Sequence, residues 1–573
     1  RRGFNVKLGT GGIREIEFIA QALQLAFGGA DPWLRSPHTL ISISRLADRR
    51  HISEAELTQL STAYEFLRRT EHILQMENGV QTHTVPFEPE KRDLLARRIT
   101  FATGGDLERN LKQCTESVHR IYTRVFGQGY SAKPEEIHVS DLPNGSERTR
   151  SHLLASIQRS DTVLDPGDAT VVVDRLAKVS PHFAAMLAAN PRLAARLPDI
   201  KVPFAEPDYD DRLIATKETR RDLSESLAVL RQTWSELLLE IAVRDVFGMI
   251  SIADSKRLQT ALAEASIAAA LGIVDHELTA RSKERPPRPS LAVLALGKLG
   301  GRGLDYDSDL DLVLVYDESR PVPVGVTPAE FYSRTVELFV TTVSAMTRDG
   351  NLYRIDLRLR PYGSKGLNAM PGNAFLEYMR ETAVVWEMLA FVKLRAVGGD
   401  VAFGGQIERE TRRIIHERAA AIEPEELRSE TLRVRHALEK LRVRPRRSQE
   451  IDIKYGAGGM LDVYFAVRYL QLRDDVPDND DDRSTSYMLD RLTERGSLTG
   501  DMYSEFKEGY HFLATLDHNL RLTIGRTTRI PLGNQDTISI VASRMGYGSP
   551  AELIETLTIH RLNIRSTFES IMG

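Results

Sequence analysis

Apolar side chains recur at i, i+3, i+4 and i+7 through long stretches of the chain, the spacing that lines one face of an α-helix. The pattern predicts helices over Ile13–Ala26, Glu54–Met76, Leu107–Phe126, Leu223–Phe247 and Lys256–Leu271. Between Pro289 and about Asp400 the texture changes. Leu291–Leu296 is a short apolar run ending in Gly297, and Leu310–Tyr316 is a second. Leu352–Arg360 alternates with period two: Tyr353, Ile355, Leu357 and Leu359 face one side, and Arg354, Asp356, Arg358 and Arg360 the other. With a helix over Pro328–Met346, these three strands predict a small α/β domain. The fold class expected is mainly α with one α/β domain, flanked by helical bundles.

Helical periodicity fails at Ser131–Glu147, at Arg281–Pro289 and near Leu441–Gln449, each carrying proline. The breaks divide the chain into a helical bundle (1–135), a helical linker or regulatory segment (136–285), the α/β domain (286–415) and a regulatory C-terminal helical bundle (416–573). At 573 residues the chain exceeds what one core serves. Its Lys plus Arg total of 76 against 80 Asp plus Glu, net charge -4, lacks the basic excess of a nucleic-acid binder. The single cysteine, Cys114, excludes an internal disulfide and a cysteine-based zinc site, and fits a reducing, cytoplasmic setting. No apolar run is expected to reach transmembrane length, and no signal peptide is visible. The chain starts at Arg1 inside what looks like a motif, and is expected to be a piece of a longer protein.

The chain repeats itself. Lys7-Leu-Gly9-Thr-Gly11-Gly12-Ile13-Arg-Glu15-Ile-Glu17-Phe18 aligns with Lys454-Tyr-Gly456-Ala-Gly458-Gly459-Met460-Leu-Asp462-Val-Tyr464-Phe465. Further on, Tyr64, Phe66, Leu67, Glu71, His72 and Leu74 align with Tyr510, Phe512, Leu513, Asp517, His518 and Leu520. The period is longer than any solenoid repeat and indicates a duplicated multidomain unit. In the second unit the α/β domain precedes the Lys-x-Gly-x-Gly-Gly motif, so the chain is expected to hold the end of unit one and all of unit two.

The candidate chemistry sits in Gly300-Gly301-Arg302-Gly303-Leu304-Asp305-Tyr306-Asp307-Ser308-Asp309-Leu310-Asp311. A strand puts Asp309 and Asp311 on one face. Carboxylates held that close need a cation, and Mg²⁺ takes carboxylate and phosphate oxygens. Nucleotidyl transfer uses two such ions. Asp356, on the polar face of the alternating run, is the third candidate metal ligand; the alternative is an ion pair with Arg358 or Arg360. Gly300 and Gly301 would admit a triphosphate to the backbone, and Ser308 would donate a hydroxyl. Lys298, Arg358, Arg360, Lys393 and Arg395 are candidates for balancing phosphate charge, with structural ion pairs as the alternative for Lys393 and Arg395. Lys7 and Lys454 beside their Gly-Gly turns would either bind an anion or simply start a helix, the latter favoured. His72 and His518 are expected in helix cores, and Asp474–Asp482 as a solvated acidic turn.

These motifs resemble a known family. Gly297-Lys298-Leu299-Gly300-Gly301-x-x-Leu304 with Ser308-Asp309-Leu310-Asp311-Leu312, Asp356-Leu-Arg358-Leu-Arg360-Pro361, Trp386-Glu387-x-x-Ala390-x-x-Lys393-x-Arg395 and Lys454-x-Gly-x-Gly458-Gly459-x-x-Asp462 are similar to motifs of bacterial bifunctional glutamine synthetase adenylyltransferase/adenylyl-removing enzymes. The resemblance covers nearly the whole chain. It implies a polymerase-beta-like nucleotidyltransferase domain between helical bundles. It also implies transfer of AMP from ATP to a tyrosine hydroxyl of glutamine synthetase, because the α/β domain belongs to the second unit. Asp309, Asp311 and Asp356 would take the metal-ligand roles for two Mg²⁺ ions, and Gly300, Gly301 and Ser308 the nucleotide contacts. Glutamine as effector and the PII signalling protein are implied partners, with no nucleic acid and no membrane. Phosphorolytic removal of AMP keeps the same site; uridylyl transfer to PII and a non-catalytic helical sensor are the other readings. Two positions depart from the pattern. Asp307 stands where a small residue is usual, and is expected to add repulsion at the metal pair or to reach a metal itself. Tyr464 stands where the first copy has Glu17.

Overall fold

The computed structural model describes residues 4–27, 34, 39–48, 51–78, 84–99, 101, 103–127, 145–159, 168–214, 223–281, 289–345, 351–363, 366–442, 450–478 and 482–573. They fall into two compact units, 1–142 and 143–573. Helices dominate both, and the second holds a small mixed sheet and a separate antiparallel pair of strands (Glu450–Asp452 and Arg529–Pro531), so the chain is mainly α with one α/β domain.

The first unit is a bundle of helices Ile13–Phe27, Thr39–Asp48, Glu54–Asn78, Pro89–Ile99 and Gly104–Gly127. Ile13, Ile16 and Ile19 from the first, with Leu60 and Leu67 from the third and Val118 from the last, close its core. Cys114 is its free cysteine. The side chain of His72 lies outside the described residues, as does most of the proline-bearing break after the bundle.

The second unit is built around strands β1 (Leu291–Ala295), β2 (Leu310–Tyr316), β3 (Ile355–Asp356), β4 (Met370–Pro371) and β5 (Arg395–Gly399). Their order is β3-β2-β1-β5, with β4 also on β2. β1 runs antiparallel to β2 and β5, whereas β3 and β4 run parallel to β2. Both faces of the sheet are covered, which is why β1 and β2 are almost continuously apolar. Leu310, Leu312, Leu314 and Tyr316 pack with helices Ile252–Arg281 and Pro328–Ser344. Val313 and Val315 face the opposite way, into a core shared with helix Val401–Ala420 and the C-terminal bundle. Residue parity therefore puts Asp309 and Asp311 on the face that the C-terminal bundle covers.

Three expectations are revised. The alternating run Leu352–Arg360 pairs only over Ile355–Asp356. Asp356 Oδ1 accepts the Arg358 N–H at 2.9 Å, an Asx-type turn that bends the chain off the sheet before Pro361. Helix Ile252–Ala280 is, by length and composition, apolar enough to cross a membrane; its most apolar 18-residue stretch is 67% buried within the protein, where its apolar faces serve the sheet. Helix Val401–Ala420 runs across residue 415, so the α/β domain and the C-terminal bundle share an element.

The C-terminal bundle repeats the first unit in three dimensions. In the first copy Ile13 N–H donates to Val6 and Arg14 N–H to Lys7; in the second Met460 N–H donates to Ile453 and Leu461 N–H to Lys454. Gly11 and Gly458 both have positive φ (75° and 67°), and a Cβ on either would lie 2.0 Å from the carbonyl oxygen of Thr115 or Arg561 on the bundle's long helix. The Gly-Gly motif thus lets a turn lie directly on a helix backbone.

Candidate active site

A cleft of about 550 Å³ opens where the start of β2, the end of β3 and the C-terminal bundle meet. Its lining includes Ser308, Asp309, Asp311, Asp356 and Arg358 from the α/β domain and Lys454, Tyr464 and Arg526 from the bundle.

Asp311 and Asp356 are register partners on the parallel strands β2 and β3. Burial, then the charges of Asp356 and Asp309, push the Asp311 carboxyl up to about 6. Its Oδ2 lies 2.1 Å from where a Cβ on Gly297 would stand, and Gly297 has φ +58°, so only glycine leaves room for this carboxylate. Asp356 is held low chiefly by its hydrogen bonds from Arg358, whose Nε is 3.0 Å from both oxygens. Asp309 lies on the same cleft but faces two arginines: Arg354 Nε donates to Oδ1 at 3.0 Å, and Arg526 of the C-terminal bundle donates to Oδ2. Among the described residues no three His, Cys, Asp or Glu side chains converge as a ready metal cage. The donor set nonetheless fits a divalent cation. Asp311 makes no ion pair with a described residue, and three carboxylates share one cleft with the Ser308 Oγ, which is buried without a hydrogen-bond partner among the described residues.

The other predicted residues divide. Lys393 is only 8% exposed and lines the cleft; burial, then Arg468, push its amine down to about 7, and its Nζ lies 5.2 Å from the Tyr464 ring centroid. Lys298 lines the cleft too, but its Nζ donates to Asp517 at 2.7 Å, so its charge is already matched; burial holds it at about 8. Gly300 and Gly301 are buried, and a Cβ on Gly300 would meet the carbonyls of Lys393 (2.6 Å) and Ala295 (2.8 Å). Gly300 thus serves packing beneath the cleft, Gly301 lies against the cleft lysine (a Cβ there would stand 3.1 Å from Lys393 Nζ), and Gly297 is the glycine at the carboxylates. Arg360 is not brought to the cleft: its guanidinium donates to the carbonyls of Leu357 and Gly366, bracing the turn that follows β3. Arg395 is buried and holds Glu264 and the Leu299 carbonyl, the structural alternative. Asp307 adopts φ +52°, and its carboxylate turns to His182 Nε2 at 3.2 Å rather than to Asp311.

Behind the cleft lies a charged network that the apolar setting expected for His518 did not anticipate. His518 is fully buried, with Nδ1 2.9 Å from Asp305 and Nε2 2.9 Å from Asp245. Burial disfavours its charge, but the two carboxylates outweigh it and hold the imidazole up at about 9. Arg544 and Tyr306 close the network on Asp245, and Lys256 lies 3.6 Å from Asp305. The loop leading to β2 is thus clamped by helix Gly500–Ile524. The repeat carried the one signal for this, since Asp517-His518 recurs as Glu71-His72; Arg526 had none. In the acidic turn, Asp475 pairs with His416 and Asp474 with Arg473.

Comparison with known proteins places these segments. Residues 172–410 match the glutamate-ammonia ligase adenylyltransferase family model, and residues 1–126 and 430–572, the two repeated bundles, match the GlnD PII-uridylyltransferase model. Bifunctional glutamine synthetase adenylyltransferase/adenylyl-removing enzymes are similar along most of the chain. The protein of Methylococcus capsulatus is 31% identical over 82% of this chain and 58% of its own length. Those of Aromatoleum aromaticum and Chromobacterium violaceum are each 28% identical, over 90% and 92% of this chain and 62% and 65% of their own. The chain spans less than two thirds of the length of these relatives. The cleft, the repeated bundles and these matches together make the chain similar, over most of its length, to bifunctional glutamine synthetase adenylyltransferase/adenylyl-removing enzymes.

Proposed function

We propose that this chain transfers AMP from ATP to a tyrosine hydroxyl of glutamine synthetase, on a polymerase-beta-like nucleotidyltransferase domain. The observation that carries the reading is Asp311 abreast of Asp356 in a cleft shared with Asp309, within the segment that matches the adenylyltransferase model. Asp309, Asp311 and Asp356 would hold Mg²⁺, which supplies charge neutralisation of the triphosphate and activation of the attacking hydroxyl. Ser308, whose hydroxyl has no hydrogen-bond partner among the described residues, is offered to a phosphate oxygen, and the Lys393 amine and the Arg358 guanidinium line the same cleft as further donors. The tyrosine oxygen bonds to the α-phosphorus, the bond to the β-phosphate bridge breaks, and pyrophosphate leaves with the displaced charge. An unperturbed tyrosine hydroxyl titrates at about 10, so a site that holds cations assists the loss of its proton to solvent water near neutrality.

The forward direction is favoured over phosphorolytic AMP removal by the repeat, which assigns this α/β domain to the second unit. We further propose a cytoplasmic setting with glutamine and the PII protein as regulators; the bundles' match to the uridylyltransferase model supports a shared regulatory partner. The test incubates the chain with Mg²⁺, unmodified glutamine synthetase and ATP labelled at either the α- or the γ-phosphate. Label on the synthetase from α-labelled ATP alone supports adenylyl transfer; label from γ-labelled ATP means phosphorylation and refutes it.

A further inference from the structure

The two copies of the Lys-x-Gly-x-Gly-Gly turn differ in what neutralises their lysine. In the first unit Lys7 Nζ lies 3.5 Å from Glu71. The residue equivalent to Glu71 in the second copy is Asp517, and it is given instead to Lys298 of the α/β domain at 2.7 Å and to Arg521. Lys454, the equivalent of Lys7, is left without an ion pair to any described residue and lines the cleft. A second acid is lost from the same face: Glu17, which holds Arg68, is replaced by Tyr464, whose hydroxyl donates to the Leu389 carbonyl. The bundle has thus exchanged or engaged two carboxylates where it meets the cleft, and kept the cation.

A cation that makes no ion pair with any described residue and lines this cleft fits a ligand that brings its own negative charge. We infer that the C-terminal bundle completes the active site, with Lys454 supplied from outside the α/β domain to bind the polyphosphate of ATP and of the pyrophosphate product. This rests on the nucleotidyl-transfer reading of the cleft and goes beyond it, because it makes the bundle a substrate-binding element. The contact is to the polyphosphate, so it is absent for AMP.

The experiment measures equilibrium binding of ATP, pyrophosphate and AMP, with Mg²⁺, to the whole chain and to Lys454→Met, Lys454→Arg and Lys7→Met, together with the KM for ATP in transfer. Lys454→Met is expected to weaken ATP and pyrophosphate by about tenfold or more, the loss of one charge-assisted contact. AMP binding is expected to hold, Lys454→Arg to recover most of the affinity, and Lys7→Met to behave as wild type. Wild-type ATP and pyrophosphate binding by folded Lys454→Met, or an equal loss for AMP, overturns the inference. In that case abolition of transfer by Asp309→Asn leaves the active-site reading standing; a wild-type chain that neither binds nor transfers the nucleotide refutes both.

Discussion

Asp311 and Asp356 lie abreast on two parallel strands, joined in register by a ladder only two residues long. So short a ladder has little sheet stability of its own. Leu310 N–H donates to the Arg354 carbonyl at 2.8 Å, and the side chains of Tyr353, Ile355 and Leu357 anchor the segment in the core beneath. Fold energy is used here to hold two like charges together. Asp309→Asn and Asp356→Asn should each lower kcat for transfer by about a hundredfold or more, the range for losing one group that acts on transition-state charge. Melting temperatures should stay within a few degrees of wild type. Full activity in either variant contradicts the site.

Gly297 makes a sharper geometric test. A Cβ there would collide with Asp311 Oδ2 at 2.1 Å and would sit at positive φ. Gly297→Ala should displace the carboxylate and cut transfer by about tenfold or more, while costing about 1–2 kcal/mol of stability. Gly303→Ala, whose Cβ would meet nothing closer than 3.9 Å, is the control and should change neither quantity. Steady-state kinetics and thermal melts on the two variants decide it.

Lys393 should separate stability from activity. It is buried without an ion pair to a described residue, and its amine is pushed down to about 7 from an ordinary lysine value. Between pH 7 and about 10.5 the unfolded chain binds this proton and the folded chain does not, so the lysine's cost to folding grows as pH falls through that window. Lys393→Met should therefore raise the melting temperature at pH 7, lose that advantage above about pH 10.5, and reduce transfer. A lower melting temperature at pH 7 would show that the amine has a stabilising partner.

His518 should behave in the opposite sense. The folded state holds its imidazole up at about 9 between Asp305 and Asp245, with Lys256 and Arg544 on the far sides of the two acids. Its contribution is complete below the ordinary histidine value of about 6.5 and is lost as pH rises through about 9. His518→Gln should be most destabilised near pH 6, by about 3–5 kcal/mol as expected for stranding buried charges. The difference from wild type should shrink towards pH 10. A difference independent of pH would mean that the residue acts through packing alone.

Much of this was legible in the chain. Leu310–Tyr316 is the strand the apolar run predicted, and helix Pro328–Ser344 starts where Thr327 and Glu330 form a capping box. Parity put Asp309 and Asp311 on one face, and the alternating run carried Asp356. What periodicity cannot express is where long polar side chains end up. Arg358 and Arg360 share a face in sequence, yet a turn at Asp356 keeps one in the cleft and turns the other to backbone carbonyls. His518 was surrounded by apolar neighbours along its helix, but its partners Asp245 and Asp305 come from elements far away in sequence. Glycine spacing marked a tight turn, but only the packing of Asp311 against Gly297 identified which glycine serves the site.

The most direct test of the account is label transfer from α-labelled ATP to unmodified glutamine synthetase by the wild-type chain and by Asp309→Asn, in parallel with phosphate-driven release of label from pre-adenylylated synthetase. Label is predicted on a synthetase tyrosine with the wild-type chain only, with no accelerated release. Release without transfer would assign this domain to AMP removal, and equal transfer by Asp309→Asn would place the chemistry outside the cleft.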